Sequence, residues 1–398
     1  MKHECEVAVV GGGPAGLTAA IALAAAGIET ALISKVPPPD NRTTALLSGS
    51  VAALDALGVW TLCSAHAAPL TAIRIIDATA RLLRAPEVMF EAAEIGLEAF
   101  GYNIENRHLI AALERRAADL GGLVRIAAAV TALEPDGEAV SIQLDDGNSL
   151  RPRLVVGADG RKSLCREAAG IETRRHEYPQ AALTLSLAHT RPHNGISTEF
   201  HTESGPFTLV PLPGLRSSLV CVVEPEAGAE LSALHAAALS AEIERRSHSI
   251  LGKLSVEDGR GLFPLAVETA QSRGCNRIAL VGEAAHVMPP IGAQGLNLGL
   301  RDAATIAEMV VDAQQAQADV GSPELLAQYD RMRRADVATR TAAVDVLNRS
   351  LLSDFLPVQG ARGFGLYLLD RIAPLRRAVM REGVEPTAQP RLMRGEAL

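Results

Sequence analysis

The chain has 398 residues, 48% of them hydrophobic, and a formal net charge of -8. That length allows two domains, or one domain with a large insertion; the apolar content argues against disorder and the acidic balance against a nucleic-acid partner. The five cysteines are scattered without a CxxC spacing and the ten histidines without an HExxH pair, which argues against a disulfide framework and a metal site and fits a cytoplasmic protein.

The first residues run directly into a strand and leave no room for a signal peptide. No apolar run reaches the length of a membrane span, so the chain is expected to be soluble or peripheral. Glu6 to Val10 reads as a strand, Leu17 to Ala26 as an alanine-rich helix stopped by Gly27, and Glu29 to Ser34 as a second strand. Between the first strand and the helix lies G-x-G-x-x-G at Gly11, Gly13 and Gly16, with Pro14 and Ala15 inside it. In this β-α-β setting the pattern predicts a dinucleotide site, with a pyrophosphate on the helix N-terminus. Ser34 and Lys35 stand where an acid for the ribose hydroxyls is expected. Ser34 can still bond a hydroxyl, while Lys35 raises the alternative of NADP.

Val36 to Asp40 is a proline-rich loop, and Asn41 to Leu46 leads into a helix carrying Val51, Leu54, Leu57 and Trp60. Arg42, just ahead of it, is either a phosphate clamp or a solvated arginine. Ala72 to Asp77 and Glu87 to Phe90 read as strands, and Ile104 to Arg107 leads a helix, with Arg107 a further candidate for the nucleotide site. Val124 to Leu133, Val140 to Leu144 and Leu154 to Val156 read as strands. Gly157-Ala158-Asp159-Gly160 then places a carboxylate on a tight turn, suited to a phosphate-proximal hydroxyl but also an ordinary Asp-Gly turn.

From Ala181 to Glu224 the pattern changes to successive strands, which marks a sheet-rich domain inserted into the first. Ala227 to Ser249 contains a helix. Ile278 to Val281 has the length and branching of a buried strand; Gly282 and Glu283 follow, then the loop Pro289 to Gly295, and Leu296 begins an amphipathic helix running through Ala303. A carboxylate, a stiff Pro/Gly loop and a helix start suit a charged, planar ligand. His286 within this stretch reads as a structural histidine rather than a catalytic one. Near the C-terminus Phe355, Phe364, Leu366, Tyr367, Ile372 and Leu375 alternate with Arg362, Arg371, Arg376, Arg377 and Arg381. That pattern fits a helix on an anionic membrane surface, or a packing helix with a solvated basic face.

GGGPAG at 11–16, GADG at 157–160 and VGEAAHVMPPIGAQGLNLGLRD at 281–302 together resemble the FAD-dependent aromatic hydroxylases, single-component flavoprotein monooxygenases similar in plan to p-hydroxybenzoate hydroxylase. The resemblance is closest to their ubiquinone-biosynthesis branch, the UbiH/UbiF/COQ6 family, and spans nearly the whole chain. Residues 42–46, 205–212 and the segment from Leu368 also look like that branch.

The resemblance implies an α/β fold: a Rossmann-like FAD-binding domain (residues 1–71, 101–178 and 265–345), an inserted sheet-rich substrate domain (179–264, reached by strands in 72–100) and C-terminal helices (346–398). It implies FAD as bound cofactor, NADH or NADPH as co-substrate, and hydroxylation of a polyprenylated phenol by O2 through a flavin hydroperoxide. By the same resemblance Gly11, Gly13 and Gly16 cradle the pyrophosphate, Arg42 lies near the ribityl-pyrophosphate, Asp159 is the acid of a DG motif linked to FAD and to the pyridine nucleotide, and Glu283 takes the place of an aspartate on the ribityl chain. The loop with Pro289, Gly292 and Gly295 lies against the flavin ring, with N–H groups near Leu296 and Asn297 at its N1–C2=O edge. No catalytic acid or base is implied. An isoprenoid tail explains an apolar, basic C-terminus at a membrane surface, in company with other ubiquinone-biosynthesis enzymes. The rival readings are a hydroxylase of a small soluble aromatic, a flavoprotein reductase, and a non-catalytic subunit.

Overall fold

A computed structural model describes residues 2–3, 5–35, 40–81, 84–352, 356–384 and 389–398. Four of the five residues of the proline-rich loop, 36–39, and Phe355 lie outside the described residues. The first layer is a six-stranded sheet in the order 274–275, Ile278–Leu280, Leu154–Gly157, Val7–Val10, Thr30–Ile33, Leu123–Ile126. Its strands are parallel except the edge strand 274–275. Val7–Val10, Thr30–Ile33 and Ile278–Leu280 are buried at every position, as continuous apolar runs covered on both faces must be. Helices Pro14–Ala25, Asn106–Ala118 and Gln294–Gln315 share one core with this sheet, and residues 130–150 pack on its other face.

The second layer is a nine-stranded sheet. Eight strands follow the path His286–Val287, Gly261–Ala270, Thr173–His189, Arg216–Val223, Gly205–Leu212, Ile196–Thr202, Ala72–Asp77, Val88–Glu91, and the ninth, Leu254–Val256, pairs with Thr173–His189 off that path. Helices Pro225–Ala233 and Ala236–Arg246 cover one face through Leu231, Leu239 and Ile243. The C-terminal helices Leu356–Arg371 and Ala373–Val384 meet the Val88–Glu91 end through Leu366, Leu369, Met380 and Val384. The last turn, Arg391–Arg394, returns to the first core, where Leu392 and Met393 are buried.

Several local expectations are corrected. Thr43–Leu47 is a strand, because its threonines pair antiparallel with Gly101–Glu105; the helix starts at Ser48 and ends at Ala56, and Trp60 opens a separate turn. The stretch 124–133 splits into two strands of different sheets, and 227–249 into two helices broken at an extended Leu234. The late helix starts at Gln294, before Leu296, and continues to Gln315, well past Ala303.

The two layers and the helices behind them meet at one buried carboxylate, Asp302. Its Oδ2 is 2.6 Å from His286 Nε2 and accepts the Gly282 N–H at 3.1 Å; its Oδ1 accepts from Arg333 Nε at 2.6 Å. Arg333 continues to Asp336, which also holds Arg301 and Arg340. Burial pushes the Asp302 carboxyl up, but His286 and Arg333 outweigh it and hold it below the usual carboxylate range. The folded-state value therefore lies below the unfolded one. Its contribution to stability is complete above about pH 5 and is lost as pH falls through the folded value, below about pH 4. Asp302→Asn leaves Arg333 buried with its pairing halved, and we expect a loss of about 3–5 kcal/mol at pH 7 in denaturant unfolding that shrinks as the medium is acidified.

Candidate functional site

The glycine loop owes its shape to contacts that only glycine permits. Gly11 has φ 119°, and a Cβ there would lie 2.2 Å from the Ala158 carbonyl oxygen; one on Gly16 would lie 2.0 Å from the Gly11 oxygen. Gly13 differs. Its φ is an ordinary -74°, and a Cβ there would meet nothing within 4 Å, so this edge of the loop is open. The helix that follows, from Pro14, has no side-chain cap and no acid in its first turn, so its N–H groups and positive dipole end stay available to an anion. Ser34 faces Gly12, where a Cβ would lie 2.7 Å from its Oγ. Lys35, its side chain 62% exposed, pairs with Asp145 at 2.5 Å.

A second helix N-terminus arrives beside the first. Gln294–Gln315 is likewise uncapped and has no acid in its first turn. It packs on Pro14–Ala25 through small groups: a Cβ on Gly299 would lie 3.1 Å from Gly282 Cα and 3.4 Å from Ala15 Cβ. The loop leading into it buries Ile291 and takes left-handed backbone at Gly292 and at Ala293 (φ 55°). Gly295 is open, with nothing within 4 Å of a Cβ. Leu296 packs against the first core. The Asn297 side chain is fully used: Oδ1 accepts from the Leu47 N–H and the Ser50 hydroxyl, and Nδ2 donates to the Ala45 and Ala293 carbonyls. Leu296 thus has only its main-chain N–H to offer a ligand, whereas Asn297, fourth in the helix, stands where the N–H turns back to the Ala293 carbonyl.

The charged candidates divide into two kinds. Asp159 is internal: it accepts from the Ser163 hydroxyl at 2.6 Å and the Cys165 N–H at 3.1 Å, fixing the turn of Leu164–Ala168. Arg42, Glu283 and Arg107 are rim groups. Arg42 makes a bidentate pair with Asp40 at 2.9 and 2.8 Å, and Asn106 donates to the same carboxylate. Burial pushes the Asp40 carboxyl up, yet Arg42 and Asn106 outweigh it and hold it below the usual carboxylate range. Glu283 meets Arg161 at 3.3 Å, each side chain 49% exposed, and its charge also acts on Arg42. Arg107 turns to Glu105, which also meets Arg216 of the large sheet. Sequence reasoning missed Asp40, Arg161, the Asp302 partner Arg333 and the second carboxylate on that arginine, Asp336, because each is recognisable only through a partner distant in the chain or half-exposed. His286 is buried on Asp302, as a structural histidine would be.

The large sheet is tied to this region by Asn103, which donates to the Pro211 carbonyl and the Ser218 hydroxyl. Register puts Glu199, Thr208, Val220 and Thr184 in one row on the face away from helices Pro225–Ala233 and Ala236–Arg246. All four are only partly buried.

Residues 4–344 match the model of the FAD binding domain family. The chain is 39% identical to the ubiquinone hydroxylase UbiL of Rhodospirillum rubrum, over 99% of this chain and 93% of that protein. It is 30% identical to the 3-demethoxyubiquinol 3-hydroxylase of Escherichia coli, over 96% of this chain and 98% of that one. Among solved structures it is similar to the p-nitrophenol 4-monooxygenase PnpA of Pseudomonas putida (TM-score 0.79, 20% identity, 97% of this chain and 99% of that one). It is also similar to PqsL of Pseudomonas aeruginosa (TM-score 0.77, 22% identity, 92% of this chain and 100% of that one). With the family model covering most of its length, and with full-length relatives of this kind, the chain belongs to the FAD-binding-domain family, in the branch of the ubiquinone hydroxylases.

Proposed function

We propose that the chain is an FAD-dependent monooxygenase that hydroxylates the aromatic ring of a polyprenylated phenol in ubiquinone biosynthesis, with NADH or NADPH and O2 as co-substrates. The observation that carries this reading is the packing of one uncapped helix start, at Ala15, on the second turn of another uncapped helix, at Gly299, with the open glycines Gly13 and Gly295 at the two starts. Neither helix has an acid in its first turn, so the N–H groups there are open to an anion, with room for a ligand's backbone-close approach. An FAD pyrophosphate fits the first terminus, over Gly11, Gly13, Pro14, Ala15 and Gly16, and the flavin ring fits the second, beside Pro289, Gly292 and Gly295. Bound FAD supplies the redox and oxygen chemistry, taking a hydride from the nicotinamide and activating O2 for transfer to an electron-rich ring.

The remaining roles belong to the protein. Ser34 bonds the adenosine ribose, Arg42 and Glu283 meet the ribityl-pyrophosphate, Arg107 supports that rim, and Asp159 holds the turn whose Ala158 carbonyl abuts Gly11. The N–H group at Leu296 offers a donor to an anionic ring edge. Segments 1–71, 101–178 and 265–345 make up most of the cofactor domain and 179–264, with the strands of 72–100, most of the substrate domain; the strands Thr173–His189 and Gly261–Ala270 run across both boundaries. The strands Ala72–Asp77 and Val88–Glu91 support that division, since they complete the large sheet. The row Thr184, Glu199, Thr208 and Val220 is the wall a phenol ring would meet.

The substrate tail gives the C-terminal helices a purpose at a membrane surface, where other enzymes of the pathway also gather. Phe364, Ile372, Leu375 and Val379 are exposed, and Arg371, Arg377 and Arg381 stand among them. Arg362 and Arg376 are not part of that face, because they are paired with Asp77 and Glu94. Among the described residues no helix is long and apolar enough to cross a membrane.

Three outcomes are expected. Gly13→Val leaves the melting temperature of the apoprotein unchanged and weakens FAD binding by about tenfold or more in a flavin titration, whereas Gly11→Val prevents folding; full FAD affinity in Gly13→Val would overturn the cradle. A prenylated phenol accelerates NADH or NADPH oxidation and yields a product one oxygen heavier by mass spectrometry; O2 consumption without that product counts against the hydroxylase. Phe364→Glu with Val379→Glu lowers flotation with phosphatidylglycerol liposomes by about tenfold or more. Unchanged flotation would remove the membrane role.

A further inference from the structure

Outside the proposed flavin site, the molecule has a cavity of about 570 Å³ between the Thr173–His189 and Gly261–Ala270 strands and the long helix Pro323–Leu352. That volume is in the range of small-molecule sites. Its walls are apolar where Val267, Ala270, Val337, Ala338 and Ala342 line it. Its polar groups are dominated by arginine: Arg174, Arg273, Arg334 and Arg349 all face it. The groups that oppose them are few. Asp345 lines the cavity and is taken by Tyr178 and Arg349; Asp330 behind it serves Arg273 and Arg334; Glu172 reaches the rim through Gln271. Glu177 and Glu268 belong to ion pairs with Arg175 and Arg166 instead. Four guanidinium groups against three carboxylates leave one positive charge, and Arg174 has no ion-pair partner among the described residues.

Two lining groups also lack hydrogen-bond partners. Arg273 is only 3% exposed, and its Nε has none; nor has the buried Thr341 hydroxyl. A buried donor left empty is costly, and these two lie behind the wall of one cavity, where an acceptor reaches them once the lining side chains shift.

We propose that this cavity binds a monocarboxylate with an apolar body, an aromatic or short-chain aliphatic acid. The carboxylate satisfies Arg273 and Thr341 under the field of Arg174, and the apolar body lies along Val267, Val337 and Ala338. The single surplus charge matches one carboxylate rather than a phosphate dianion. The inference is independent of the hydroxylase reading.

The test is calorimetric titration of the FAD-loaded full chain with sodium benzoate, sodium octanoate and inorganic phosphate. One saturable site is expected for a carboxylate, tighter for benzoate if the natural ligand is aromatic and for octanoate if it is aliphatic. Ala338→Phe fills the cavity from an exposed position and abolishes binding; Arg174→Gln weakens it about tenfold; Arg273→Gln abolishes it where that variant folds. Binding that survives Ala338→Phe and Arg174→Gln, phosphate that binds as well as the carboxylates, or no heat with either carboxylate would overturn the proposal.

Discussion

The Asp302 carboxylate is the interaction on which the rest of the site depends. A buried charge is tolerated only when its partners surround it, and here they come from three places: the turn at Gly282, the short strand at His286, and the long helix at Arg333. The loop 287–293 hangs between two points tied to this one network. His286 fixes its start. Gln294 at its end receives Arg340, which is held by Asp336, the second carboxylate of the cluster. A loop pinned at both ends can keep the left-handed backbone at Gly292 and Ala293 without another source of rigidity.

Pinning the loop also fixes where two helices begin. Ala15 lies in the first turn of one helix and Gly299 near the start of the other, and Gly282 touches both positions. Two positive dipole ends placed side by side repel one another. No acidic side chain in either first turn relieves them. Each uncapped end favours an anion beside it, so the packing that builds the core also brings two anion-accepting termini into one region. The small residues at the contact serve this purpose as much as they serve close packing.

Much of this was legible in the sequence where one steric requirement had one answer. Gly11 and Gly16 are glycines because a Cβ would strike a carbonyl oxygen, and a motif of that origin reads the same in any context. The buried parallel strands were legible for a similar reason, since both their faces are covered and take apolar residues or a hydroxyl bonded to its own backbone, as at Thr30. What failed to show was whatever depends on a distant partner. Thr43–Leu47 became a strand by pairing with residues some sixty positions later. Asn297 sits in the most recognisable stretch of the chain, yet its side chain braces Ala45, Leu47 and Ser50 from within. Asp302 lies in the same stretch, and nothing local announces that Arg333 will complete it.

The distinction between saturated and exchangeable polar groups orders the remaining candidates. Asn297 has its hydrogen-bonding capacity committed inside the protein, and each oxygen of the half-buried Asp159 already accepts one bond from its own turn. Releasing either would leave orphaned donors and acceptors, so both act by holding shape. Arg42 with Asp40, and Glu283 with Arg161, are pairs with at least one half-exposed member. Exposed ion pairs contribute about 0–1 kcal/mol, so a ligand that offers phosphate to Arg42 or hydroxyls to Glu283 displaces little. The extra methylene of Glu283, a departure from the aspartate implied by the family resemblance, accords with this view. A longer side chain can rest on Arg161 at the rim and still be free to turn inward, whereas a shorter one would have to be placed at the start.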